Sequence, residues 1–71
     1  TRITRVVRAR QVAMYLCREL TSLSLVRIGE KFGGRDHATV LYSIKKVGER
    51  MENDRELVAR IDDIKGRLTR R

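Results

Sequence analysis

No proline interrupts these 71 residues, and apolar side chains recur at three- and four-residue steps almost from end to end. In a helix of about 3.6 residues per turn that spacing gathers them on one side, whereas a half-buried strand needs alternation by two. An all-α fold of about four helices is therefore expected. A chain this short buries only about 60% of its unfolded surface, so a single domain over residues 1–71 with one small core is expected, without a deep substrate cavity.

In the first segment Ala9, Val12, Ala13, Leu16, Cys17 and Leu20 form one apolar stripe. The stripe predicts a helix near residues 8–21, which Val6 and Val7 can extend upstream, with Arg10, Gln11 and Arg18 on its polar face. Ser24 can cap a short second helix carrying Leu25, Ile28, Gly29 and Phe32 on one face. Gly29 costs about 1 kcal/mol relative to alanine inside a helix, which points to another backbone packed closely there. Gly33-Gly34 ends that helix, since glycine enters left-handed conformations cheaply. Asp36 is placed to cap a third helix over 37–51 by accepting from the Thr39 N–H. Val40, Ile44, Val47 and Met51 are its buried seam, and His37, Ala38, Thr39, Tyr42, Ser43, Lys45 and Lys46 its opposite face. Asn53, followed by Glu56, resembles a capping box for a last helix with Leu57, Ile61, Ile64 and Leu68 as its seam and Asp62 and Asp63 in solvent.

Charge narrows the function. Seventeen Lys and Arg stand against nine Asp and Glu, a formal net charge of +8. Polyanions, either nucleic acid or an acidic membrane surface, are the expected partners. The first ten residues hold Arg2, Arg5, Arg8 and Arg10 and no acid, so residues 1–7 read as a basic linker or N-terminal arm. Arg67, Arg70 and Arg71 give the other end similar character. The chain opens on Thr1 rather than Met, which is expected of a fragment of a longer protein. Cys17 lies on the apolar stripe as a small core thiol. With a single cysteine there is no internal disulfide and too little sulfur for a Cys-based zinc site, as fits a reducing cytosol. No segment has the length and hydrophobicity of a membrane span or signal peptide.

Catalysis is not expected. His37 is the only histidine, and its acidic neighbour Asp36 projects about 100° away from it on a helix, so the two cannot act as base and orienter. Ser43 has no visible activating partner. Gly33-Gly34-Arg35 fits neither the phosphate-loop pattern GxxxxGK followed by Ser or Thr nor GxGxxG. What remains is a short helix, a glycine turn and a longer helix with a polar N-terminal edge. That is a helix-turn-helix, whose second helix sets its first residues against base edges in the major groove. Asp36 can accept from cytosine N4, His37 can bond a base edge, and the methyl groups of Ala38 or Thr39 can meet a thymine methyl. From the residues alone, Asp36 is equally well explained as a cap.

The run GGRDHATVLY (33–42), with ARQVAMYLCREL (9–20) and SLVRIGEKFGGRDH (24–37), resembles the C-terminal domain of the DnaA family of bacterial chromosomal replication initiators, whose members typically show GGRDHTTV here. The likeness covers essentially the whole chain. It implies a Trp-repressor-like helical domain with a helix-turn-helix that binds duplex DNA boxes similar to TTATCCACA at the replication origin. Base contacts then carry over to Asp36, His37, Ala38 and Thr39, with Leu25 and Val26 touching bases or sugars and Arg2 entering the minor groove. Phosphate contacts carry over to Arg10, Gln11, Arg18, Tyr42 and Lys46. The family's ATPase lies in a domain absent from this chain, so neither ATP, another cofactor nor a metal is expected. Other copies of the initiator are expected to be met through domains outside the chain, and the location is expected to be cytoplasmic, on the nucleoid. Ala38 departs from the usual threonine, keeping a methyl group but losing a hydroxyl. Ala9 stands where some members have proline, and Tyr42 where some have histidine. Two alternatives follow from charge: a basic amphipathic module on acidic phospholipid, or a helical adaptor for an acidic protein or structured RNA.

Overall fold

The computed structural model describes residues 2–70. Thr1, the first residue of the expected arm, and Arg71, one of the cations expected at the C-terminal end, lie outside the described residues. Four helices follow in order: α1 (Arg2–Leu20), α2 (Leu25–Lys31), α3 (His37–Met51) and α4 (Arg55–Thr69). The described residues contain no strand.

Helix α1 starts at Arg2, so the upstream extension that Val6 and Val7 allow runs further than expected, and residues 2–7 of the basic N-terminal segment are helical. The reason is local: Ala9 supplies the backbone N–H and the high helix propensity that proline would remove, and nothing upstream breaks the run.

Each of the other helices begins on an oxygen cap. Ser24 accepts from the Arg27 N–H at 3.1 Å, and Asp36 from the Thr39 N–H at 2.8 Å, both as expected. For α4 the cap is Asp54, which accepts from the Leu57 N–H at 3.0 Å, rather than Asn53. Asn53 instead donates its backbone N–H to the Arg50 carbonyl in the turn that closes α3.

Two apolar clusters make the core, and α1 runs past both. Met14, Ile28 and Val40 are fully buried in the first, with Cys17, Leu23, Leu25, Phe32 and Ile44 packed on it. Val47, Leu57 and Ile61 form the second, covered by Val12, Tyr15, Leu16 and Met51. Helix α3 thus joins the α1–α2 half to the α4 half, while α2 and α4 do not meet. A lysine spans α1 and α4: Lys65 donates to the Glu19 carboxylate at 3.1 Å and lies 5.5 Å from the centre of the Tyr15 ring. The Glu19 hydrogen bond is the main cause that raises the Lys65 pKa above its usual 10.5.

Four expectations about faces are corrected. Met14, outside the expected stripe of α1, is the fully buried residue, whereas Ala9 is exposed and the rest of the stripe is half-buried. Gln11, expected on the polar face, retains only 9% exposure because it sits one turn before Met14 on the buried side. Ser43 is 5% exposed rather than solvated. It lies between Val40 and Val47 on the seam, and its hydroxyl is satisfied by donating to the Thr39 carbonyl at 2.9 Å. Leu68, expected in the α4 seam, is 66% exposed because the last turn of α4 extends beyond the second cluster.

Candidate nucleic-acid interface

The turn between α2 and α3 is fixed by backbone bonds. Gly33 and Gly34 adopt φ of 85° and 80°, the left-handed region that favours glycine. This lets the N–H groups of Gly34 and Arg35 both donate to the Gly29 carbonyl, at 3.1 and 3.0 Å. The Arg35 guanidinium donates to the Phe32 carbonyl across the same turn. Gly29 is buried, as its close-packing role requires. The chain therefore emerges at Asp36 in one direction, and α3 starts from a defined point.

At that point Asp36, His37, Ala38 and Thr39 are all exposed. The capping bond to Thr39 is the leading cause that holds the Asp36 carboxyl below its usual 3.8. A carboxylate has about four lone-pair sites over two oxygens, so capping leaves acceptor capacity for a donor outside the chain. The cap and base-reading roles are compatible in one side chain.

Along α3 the exposed arc continues through Leu41, Tyr42, Lys45 and Lys46. Tyr42 stands out at 59% exposure, with the Lys46 ammonium 5.9 Å from its ring centre and Glu49 3.7 Å from the same ammonium. Lys45 falls in the middle of this arc, since seven residues bring it back to within about 20° of Ala38. Lys46 lies towards one edge. The sequence expectations omitted Lys45 from the contact set; the seven-residue step from Ala38 is the signal that marks it.

The other expected contacts divide by helix. Leu25 is half-buried at the start of α2, and Val26 beside it is exposed. On α1, Arg10 and Arg18 stand one turn before and one turn after Met14, which packs on Ile28 of α2 and Val40 of α3. Both arginines therefore flank the helix-turn-helix side. Arg18 also donates to the Leu23 carbonyl at 3.1 Å, tying α1 to the segment that leads into α2. Gln11 shares this side but is nearly buried. Arg2 is exposed at the start of α1, about 12 Å along the axis from Arg10.

A rigid glycine turn, a second helix with an exposed polar N-terminus and cations from two helices define a helix-turn-helix domain of the DNA-binding class. The family described as bacterial dnaA protein helix-turn-helix matches residues 1–47, and the chain belongs to that family. It is 49% identical over 67 residues to the chromosomal replication initiator protein DnaA of Geobacter sp. (strain M21), covering 94% of this chain and 15% of that protein. It is 52% identical over 63 residues to the protein of the same name from Leifsonia xyli subsp. xyli (strain CTCB07), covering 89% of this chain and 13% of the relative. The chain thus spans only a small part of the length of the relatives it matches, and that part is a binding domain. None of its described helices is long and apolar enough to cross a membrane.

Proposed function

We propose that this chain is the part of a chromosomal replication initiator that reads duplex DNA, binding asymmetric boxes similar to TTATCCACA at the origin in the cytoplasm, on the nucleoid. The carrying observation is the exposed first turn of α3, where His37, Ala38 and Thr39 follow the capping Asp36 on a turn held by three hydrogen bonds. An acid facing a polyanion is unfavourable unless a base donor rewards it, and cytosine N4 is such a donor. In this reading Asp36, His37, Ala38 and Thr39 specify sequence, Val26 and the edge of Leu25 meet base or sugar, and Arg2 reaches a minor groove. Arg10, Arg18, Tyr42 and Lys46 grip phosphates and set register. Gln11 joins them only if its amide turns outward. ATP hydrolysis and contact between copies belong to parts of the initiator outside this chain.

A duplex of nine box positions, substituted singly and measured at fixed salt, tests the reading. Individual substitutions should cost about 1–3 kcal/mol at positions facing α3. Affinity that is flat across all nine substitutions would remove the base-reading role.

A further inference from the structure

The apolar stripe of α1 is only partly covered. Val12, Ala13 and Leu16 form one wall of an open groove of about 810 Å³, and Leu57, Ile61 and Ile64 of α4 form the other. The groove continues beyond Ala13 and Leu16 to Leu20 and Leu68. From Arg5 to Leu20 it follows α1 for about 22 Å, roughly four helical turns.

Its first part is ringed by cations. Arg5 and Arg8 come from α1, Arg50 from α3 and Arg60 from α4. The ion pairs among the described residues involve Arg27, Lys46, Lys65 and Arg67, so none neutralises these four. Within this ring the Arg50 guanidinium has a buried nitrogen, Nη1, with no hydrogen-bond partner. Nη1 is itself shielded, so it is the rest of the Arg50 side chain that lines the groove. The groove also lies away from the helix-turn-helix side, since Leu16 is about 200° around α1 from Met14.

We infer that this groove docks an acidic amphipathic helix of a partner protein. Carboxylates match unpaired guanidinium groups, which bind them in bidentate geometry. The apolar walls match a leucine-bearing face and offer nothing to the phosphates of a duplex. A channel four turns long between two helices accepts a third helix in the groove-binding mode. DNA on α2, α3 and the Arg10 and Arg18 side of α1, and a helix between α4 and the Leu16 side of α1, occupy different sides, so the domain holds both together.

The test titrates the ¹⁵N-labelled 71-residue chain with a synthetic 15-residue peptide carrying leucine on one helical face and glutamate elsewhere. A peptide of the same composition with its leucines scattered around the helix serves as the charge-matched control. Amide shifts are expected at Ala9, Ala13, Leu16, Ile61 and Ile64, with the control at least about tenfold weaker by the loss of its apolar face. Arg8→Glu/Arg60→Glu, checked for helicity, should weaken the peptide by a similar factor, and Arg8→Gln/Arg60→Gln takes its place if charge reversal unfolds the domain. Equal binding of the two peptides, shifts confined to α2 and α3, no shifts, unchanged affinity in the variants, or displacement of the peptide by phosphatidylglycerol vesicles would each overturn the inference.

Discussion

A Cβ placed on Gly29 would lie 1.9 Å from the carbonyl oxygen of Arg35. Helix α2 and the turn after it are therefore pressed backbone to backbone, and that contact determines where Asp36 sits and where α3 begins. Because the obstructing atom belongs to the main chain, no side-chain adjustment relieves it. Gly29→Ala should lower stability by about 3 kcal/mol in urea or guanidinium unfolding. A loss under about 0.5 kcal/mol would mean that the turn is looser than described.

The cap on α3 should be visible in the pH dependence of stability. The Asp36 carboxyl titrates below its usual 3.8 in the folded domain because it accepts the Thr39 N–H. A folded pKa below the unfolded one gives stability that is complete above the unfolded value and lost as pH falls through the folded one. The melting-temperature advantage of the parent chain over Asp36→Ala should hold at neutral pH and shrink below about pH 3.8. Asp36→Asn, which keeps an accepting oxygen without a titrating one, should stay closer to the parent at neutral pH. An advantage independent of pH down to about 2 would show that the charged cap does not supply it.

Position on the exposed arc of α3 separates the two lysines. Lys45→Ala should reduce the salt slope of duplex binding by about 1 and Lys46→Ala by less, while the ratio between box and permuted duplex stays constant. Lys46 has Glu49 3.7 Å away, so part of its charge is already compensated and its effect should be the smaller one. Slopes unchanged from the parent at matched buffer would exclude both from phosphate contact.

Helix α4 supports the domain without touching α2. Ile61 is fully buried beside Val47 and Leu57, and Ile61→Ala should cost about 2–5 kcal/mol of stability. Well below its melting temperature the same variant should keep its preference for box DNA, since the reading edge is built from α2, α3 and their turn. Loss of that preference in folded protein would place α4 in the recognition surface.

Local chemistry made much of this legible in the sequence. Ser24, Asp36, Gly29 and the Gly33-Gly34 pair each have a conformational reason tied to near neighbours, and each is found in that role. Faces were harder to read. The stripe from Ala9 to Leu20 is a real apolar face, but α2 and α3 cover the other side of α1, where Gln11 and Met14 lie. Periodicity identifies an apolar face without saying which partner covers it. Ser43 is the same case in miniature: a polar residue inside the buried arc, satisfied by its own helix. Asn53 and Asp54 are both good caps, and the choice between neighbours depends on the turn that closes α3.

On the proposed function, this domain distinguishes sequence rather than charge. The most direct measurement is competition between a duplex containing TTATCCACA and a duplex of permuted sequence, equal in length and charge, for the 71-residue chain at physiological salt. The box duplex is expected to win by about a hundredfold or more, with one chain bound per box. Equal affinity for the two duplexes would overturn the base-reading role, because it would leave Asp36, His37, Ala38 and Thr39 with nothing to read.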